Sequence, residues 1–235
     1  MFKLLKNKKI NITSRIKGFT MAELVVVMAI FGILTSITVF NYGKFNANII
    51  MTNMAYEVAL AVREAQVFSL GVRGSDGGNF DTRYGVYFNT DNQAGSQNFV
   101  FFADRDSNGK CEDKSNPSSI VNCSIIECVA GSECEQLNSL TRGIDITKLC
   151  VSEAGSIPMV FDGDISSVGE CSPDGVEISE AAITFERPNP DALILNAQNE
   201  DSYRNIAILI EENNGAKRAI YIRENGQISV EFINN

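Results

Sequence analysis

The stretch KGFTMAELVVVMAIFGILTSITVF, residues 17–40, decides how this chain begins its fold. Between residues 19 and 40 the only ionisable side chain is that of Glu23. A helix of this apolar part would be about 33 Å long at ~1.5 Å per residue, against a hydrocarbon core of roughly 30 Å. The stretch therefore predicts a helix that spans a membrane.

Basic side chains cluster on the N-terminal flank of this stretch. Residues 1–18 contain no acidic residue and six basic ones: Lys3, Lys6, Lys8, Lys9, Arg15 and Lys17. Positive flanks stay in the cytoplasm, so we expect the N-terminus inside and the body outside. The net charge is −9 for the whole chain, which leaves −15 on the rest. A body this acidic disfavours nucleic acid, which is bound through Lys and Arg.

Two simpler interpretations share this basic-then-apolar order. A secretory signal peptide should end in a small-residue cleavage site, and TSITVFNYG, residues 35–43, has no A-x-A pattern. A plain membrane anchor stays open as an alternative. Neither interpretation explains Glu23, because a charge at mid-membrane costs about 2.5 to 3.5 kcal/mol.

The segment KGFTMAELVVVMAIFGIL, residues 17–34, resembles the cleavage and methylation motif of type IV prepilins and pseudopilins. The resemblance implies that a prepilin peptidase cuts between Gly18 and Phe19 at the inner membrane and methylates the Phe19 amine. It implies an assembly role for Glu23, fifth in the mature chain. It also implies that helix 19–40 sits in membrane lipid first. The helix would later pack against other pilin or pseudopilin subunits in an extracytoplasmic filament, with the help of an inner-membrane assembly platform.

Residues 41–70 continue the helical pattern beyond the membrane. Apolar side chains recur at spacings of three and four residues: Met51, Met54, Val58, Val62 and Ala65. We therefore expect an amphipathic continuation of the helix that packs on a sheet. Gly71 and the run GSDGGN, residues 74–79, should end it.

The remaining body, residues 80–235, changes to short β segments. The predicted strands are 82–88, 98–104, 175–179, 182–187, 204–212, 218–224 and 228–232. Asn214-Gly215 and Asn225-Gly226 lie between β-rich runs, and such pairs favour hairpin turns with positive φ. The predicted fold class is α+β and pilin-like, with a long N-terminal helix packed on a mostly antiparallel sheet. This order of elements resembles the H-type pseudopilins and related minor pilins.

The six cysteines all lie in the stretch 111–171, which has no counterpart in that resemblance: Cys111, Cys123, Cys128, Cys134, Cys150 and Cys171. Zinc would favour paired C-x-x-C spacings or histidine ligands, and the chain has no histidine. Disulfides formed outside the cytoplasm are the better interpretation. We expect an insertion of long loops held together by disulfides, with all 15 connectivities open.

Asp104, Asp106 and Asn108 in DRDSNGKCED have the spacing of the first half of a calcium loop. Position twelve, where such a loop has a bidentate Glu, is Ser115. A strand-ending Asp followed by an Asn-Gly turn explains the same residues. Calcium is therefore one of two interpretations, and no other cofactor is expected.

No pattern in the sequence indicates catalysis. The chain has no histidine to act as a base, and neither a G-x-S-x-G elbow nor a phosphate-binding loop. We therefore expect no enzyme. Two functions remain: a minor type IV pilin or secretion pseudopilin that assembles through its helix, or a single-span anchored protein whose body binds a partner without polymerising.

Overall fold

The chain forms two compact units in the computed structural model, Met1–Phe45 and Asn46–Asn235. The structure describes residues 18–71, 82–91, 96–113, 121–124, 127–128, 130–153, 159, 170–198, 201–212 and 215–233, without the side chains of 40–45, 121 and 122. The expected leader peptide is residues 1–18, and all of it except Gly18 lies outside the described residues, as do the run 74–79, Ser115 and Asn214.

Helix α1 (Met21–Leu70) is 50 residues long. Its residues up to Phe45 belong to the first unit and the others to the second. The expected continuation of the helix beyond residue 40 is therefore confirmed. At its end, the N–H of Gly71 donates to the carbonyl of Val67 at 2.9 Å.

One face of the second half of α1 is buried in the body. The fully buried side chains recur every three or four residues: Met51, Ala55, Val58, Val62 and Ala65. This spacing places them on one side of a helix with 3.6 residues per turn. The predicted packing of this half is confirmed, except that Met54 is only partly buried and Ala55 takes its place in the buried set.

The body consists of antiparallel sheets built from thirteen described strands. These are β1 (Arg83–Asn89), β2 (Asn98–Asp104), β3 (Glu112–Asp113), β4 (Val121–Asn122), β5 (Cys134–Ser139), β6 (Ile144–Ser152), β7 (Val176–Ile178), β8 (Glu180–Phe185), β9 (Ala192–Asn196), β10 (Ser202–Tyr203), β11 (Asn205–Glu212), β12 (Lys217–Arg223) and β13 (Ile228–Ile233). One sheet has the order β10-β9-β8-β1-β2-β5, and a second has the order β13-β12-β11-β6-β7. Strands β3 and β4 form a separate pair. The predicted α+β class is confirmed.

The main hydrophobic core is shared by α1 and the inner faces of both large sheets. Side chains alternate along a strand, so Tyr84, Val86 and Phe88 of β1 all point into this core. In the other large sheet, Ile206 and Ile208 of β11 do the same. The helix and the two sheets therefore bury their apolar surfaces together.

The outer face of the six-stranded sheet is also buried. Tyr87, Val100 and Phe102 point to this side and form a second cluster with Cys111 and Cys123. These two cysteines are joined by a disulfide. The cystine and its neighbours thus shield apolar side chains that the main core does not reach.

The five-stranded sheet is covered on its outer face in the same way. Leu209 and Tyr221 form a third cluster with Met159 and Cys150, against which Cys171 packs. A disulfide joins Cys150 to Cys171.

The remaining pair is Cys128–Cys134, and the described structure contains no free cysteine. The expectation of disulfide-bonded segments in the body is confirmed.

The prediction of long loops is wrong for part of the stretch 111–171, because β5 and β6 lie in it. Strand β6 pairs with β11 inside the five-stranded sheet, and its Ile144, Ile146 and Leu149 are fully buried. The start of β6 alternates apolar and polar residues, as a strand should. Loops were predicted for this stretch because its six clustered cysteines are typical of disulfide-bonded loops. Strands β9 and β10 were not predicted from the sequence either.

The expected hairpins are present. Strands β11 and β12 pair through a turn at Gly215, and β12 and β13 through a turn at Gly226. The φ angles of these glycines are 85° and 76°. Both turns therefore use the left-handed backbone that glycine adopts at little cost.

Buried hydrogen bonds connect the end of α1 to the body. The Gln66 side-chain nitrogen donates to the carbonyls of Pro190 at 3.0 Å and Gly226 at 3.2 Å. The Ser69 hydroxyl donates to the Tyr84 carbonyl at 3.1 Å and accepts the Tyr84 N–H at 2.7 Å. A Cβ atom at Gly226 would lie 2.1 Å from the Pro190 oxygen, so this contact also requires glycine.

We predict three disulfides and no free thiol in the purified protein: Cys111–Cys123, Cys128–Cys134 and Cys150–Cys171. Mass spectrometry of a non-reduced digest should recover these three linked peptide pairs. Thiol labelling of the denatured, non-reduced protein should give no product. Another connectivity, or two or more reactive thiols, contradicts the prediction.

Candidate functional site

Helix α1 begins directly after the predicted cleavage point, and its first turn is capped. The hydroxyl of Thr20 accepts a hydrogen bond from the N–H of Glu23 at 3.2 Å. The Thr20 carbonyl accepts the N–H of Leu24 at 3.1 Å. A threonine that precedes a glutamate by three residues is the capping-box pattern, which satisfies free N–H groups of the first turn. The sequence contained this signal for Thr20, but the prediction had missed it.

The first part of α1, Met21–Val39, is long and apolar enough to cross a membrane, by length and composition. None of this segment is buried within the described structure. Met21 and Val39, for example, are 83% and 72% exposed. Apolar surface of this extent is unfavourable in water and fits a helix that lipid or other apolar helices cover.

Two hydroxyl groups within this span, those of Thr35 and Thr38, are satisfied inside the helix. The Thr35 hydroxyl donates to the Phe31 carbonyl at 2.8 Å, and that of Thr38 donates to the Leu34 carbonyl at 3.0 Å. A buried hydroxyl without a partner would be costly in hydrocarbon. These two threonines are therefore compatible with a lipid environment.

Comparison with known protein families matches the same part of the chain. Residues 13–39 match the family model described as the prokaryotic N-terminal methylation motif. This match supports an N-terminal segment like that of type IV pilin or pseudopilin prepilins. No curated protein and no solved structure matches the chain.

The prepilin match includes Gly18, Phe19 and Glu23. A prepilin motif implies processing by a prepilin peptidase and assembly with other pilin-type subunits. The apolar helix near the N-terminus fits a membrane-anchored subunit of this type. Cleavage after Gly18, methylation of Phe19 and the assembly role of Glu23 stay predictions, as does the resemblance to the H-type branch.

A second candidate site lies in the turn that follows β2. Asp104 ends this strand and is fully buried. Its two carboxylate oxygens accept the N–H groups of Asn108 at 3.1 Å and Gly109 at 2.9 Å. The Asn108 side chain donates to Asp106 at 3.2 Å. The structure thus contains the strand-ending Asp and the Asn-Gly turn that the sequence indicated.

Glu133 joins this turn from a distant part of the chain. Carboxylate oxygens of Asp104, Asp106 and Glu133 lie within 4.8 Å of one another. Glu133 is only 1% exposed, and it accepts the N–H groups of Arg105 at 3.0 Å and Glu112 at 3.2 Å. We name these three acids the acidic cluster. No local pattern marks Glu133, because it reaches the cluster only through the tertiary fold.

Burial raises the pKa of Asp104 to about 6. The N–H of Gly109 opposes this shift, because it favours the charged form. The hydrogen bond to Asp106 and the negative charge of Glu133 raise the pKa further. A proton or a cation would therefore relieve the repulsion in the acidic cluster.

We predict that folding stability falls as the pH rises from about 4 to about 6. The carboxyl of Asp104 has an ordinary pKa of 3.8 and a pKa of about 6 in the folded chain, so the folded state binds more protons in this window. The contribution of Asp104 to folding stability is fully present below pH 3.8 and is lost above about pH 6. It amounts to at most about 3 kcal/mol. Chemical denaturation at several pH values, with a chelator present, measures the slope.

The variant Asp104→Asn should flatten this slope, since its side chain does not titrate. Asp174→Asn is the matched control, because Asp174 is exposed and lies outside the acidic cluster. A slope in Asp104→Asn equal to that of the wild type contradicts the prediction.

Calcium at Asp104, Asp106 and Asn108 stays a prediction, with Glu133 as an additional carboxylate. Close carboxylates suit a hard cation that prefers oxygen ligands. Calcium at about 5 mM should raise the unfolding temperature of the wild type but not of Asp106→Asn, since a ligand stabilises the state that binds it. Magnesium at the same concentration is the control. No rise with calcium, or an equal rise in the variant, rules out this site.

Proposed function

We propose that this chain is a minor type IV pilin or secretion pseudopilin, a structural subunit that enters a filament through α1. The observation that carries the proposal is the prepilin motif at 13–39. The uncovered apolar span Met21–Val39 supports it, because such a surface fits lipid first and neighbouring helices later. The motif belongs to structural subunits, and we propose no enzymatic activity.

Cleavage after Gly18 would change the electrostatics of the helix start. The leader carries six basic side chains, which hold it on the cytoplasmic side. Its removal leaves a single amine at Phe19, next to a span that otherwise contains only Glu23 as an ionisable side chain. A helix with fewer fixed charges at its end leaves the membrane at lower cost.

Glu23 is the residue that we propose to set the position of one subunit against the next. It lies in the first turn of α1, where the helix dipole favours an acid. In a filament its carboxylate would pair with the Phe19 amine of a neighbouring subunit. Desolvation offsets much of the attraction within such a pair, so its main effect would be on axial register.

We predict that the mature protein begins at an N-methylated Phe19, as intact-mass and N-terminal peptide measurements would show. Gly18→Leu should leave an uncleaved precursor in the membrane, because a bulky residue obstructs the peptidase. Gly32→Leu is the matched control and should be processed normally. A Cβ atom at either glycine meets nothing within 4 Å, so neither variant disturbs packing within the chain.

A mature protein that retains Met1 would support the alternative, an anchored protein that binds a partner without polymerising. Cleavage of Gly18→Leu at the normal rate would also count against the proposed processing site.

We predict that Glu23→Val inserts, folds and is cleaved normally, yet enters filaments about tenfold less well, as a loss of ~1.4 kcal/mol would give. The cap at Thr20 survives, since Thr20 bonds to the backbone N–H of residue 23. The measurement is the ratio of this subunit in sheared filaments to that in membranes. Thr20→Ala is the control: it removes the cap, keeps the acid and should retain incorporation. Undiminished incorporation of Glu23→Val refutes the role of Glu23.

A further inference from the structure

A cleft lies where the chain passes from the five-stranded sheet to the six-stranded sheet. Ser179 makes this passage between the end of β7 and the start of β8. The cleft has a volume of about 760 Å³. We name it the crossover cleft, and its polar lining includes Asp91, Thr147, Ser179, Asn196, Gln198 and Tyr203.

The charge of the crossover cleft excludes some ligand classes. Among the residues that the structure describes, its lining contains the acids Asp91, Glu177 and Asp201 and no Lys or Arg, so this part of the cleft repels anions. Within the described residues, the carboxylates close enough together to share an ion are those of the acidic cluster, which lies elsewhere. A bare metal ion would therefore find no such set of ligands in the cleft.

Several polar side chains in the cleft are held in place before any ligand arrives. The Gln198 side-chain nitrogen donates to Asp91 at 3.2 Å and to the Ser179 hydroxyl at 3.0 Å. The Gln198 backbone N–H donates to the side-chain oxygen of Asn196 at 3.0 Å. Asn196 itself is 6% exposed. Carboxylate, amide and hydroxyl groups are thus fixed next to one another.

A β-bulge adds Thr147 to this set. The pairing of β6 with β11 shifts between Leu209 and Ile210, whose partners are Lys148 and Ile146. Thr147 is therefore the extra residue, and bulges redirect a side chain out of the regular ladder. Thr147 is exposed and lines the cleft.

Tyr203 supplies an aromatic ring. The side chain is partly buried against the main core and also borders the cleft. Burial raises the pKa of its phenol, as do the charges of Asp201 and Glu153. The phenol therefore stays protonated at neutral pH and can donate a hydrogen bond.

We propose that the crossover cleft binds a neutral, hydroxyl-rich ligand, namely a saccharide. Each sugar hydroxyl both donates and accepts hydrogen bonds, and the cleft offers carboxylate and amide acceptors beside amide and hydroxyl donors. The ring of Tyr203 adds an apolar surface with a polar tip. This binding does not depend on filament assembly.

The test uses the full-length protein in detergent and a panel of immobilised neutral and acidic oligosaccharides, followed by calorimetry with the best neutral binder. Gln198→Ala should weaken binding about tenfold, since it removes the amide oxygen as an acceptor and the amide N–H groups that position Asp91 and Ser179. Gln136→Ala is the matched control and should bind as the wild type does, because Gln136 is exposed on β5 and bonds to Asn138. Thermal unfolding should be the same for both variants.

The proposal is overturned if the protein binds no neutral saccharide. It is also overturned if the protein binds only acidic saccharides, or only a polyamine added as a competitor. Equal affinity of Gln198→Ala and the wild type also overturns it, because the site would then lie elsewhere. None of these results bears on the prepilin assignment, which is tested by the N-terminus at Phe19.

Discussion

The packing of the second half of α1 into the body is the contact on which the rest of this unit depends. Val58, Val62 and Ala65 enter a core to which both large sheets contribute. Full burial of a valine or methionine side chain contributes roughly 1.5 to 3 kcal/mol. Without the helix, the inner faces of the sheets would lose apolar cover. The same helix thus has a lipid-compatible surface up to Val39 and a core-forming face from Met51 onward.

Both large sheets need cover on their second face, and disulfide-bonded residues contribute to it. The cystines Cys111–Cys123 and Cys150–Cys171 each belong to an outer cluster. Residues with few apolar neighbours gain little folding free energy from burial. A disulfide restricts the unfolded chain, and this offsets part of the missing stabilisation. The acidic cluster lies beside the third disulfide, Cys128–Cys134, since Glu133 immediately precedes Cys134.

Local patterns explain which elements the sequence predicted. Helix α1 has a long apolar run followed by a 3.6-residue period, and β1, β2 and β11 are runs of aromatic or β-branched residues between turn signals. Strand β5, CEQLNS, contains no run of aromatic or β-branched residues. Strand β6 does alternate apolar and polar residues at its start, but the clustered cysteines favoured a loop there.

Tertiary contacts explain what the sequence could not show. Glu133 meets Asp104 only because β5 pairs with β2. Thr147 enters the crossover cleft because of a bulge that depends on the partner strand β11. The sequence did mark Gly18, Phe19 and Glu23 as a local motif.

The hydrogen bonds of Gln66 and Ser69 have a mechanical consequence. They connect the last turns of α1 to Pro190, Gly226 and Tyr84, which belong to separate parts of the body. An axial pull on the helix would load these bonds together with the side chains that α1 packs into the core. Bonds loaded in parallel must break together, whereas bonds that are peeled apart break one after another. The attachment of α1 is therefore suited to transmit traction from the helix to the body without local unfolding.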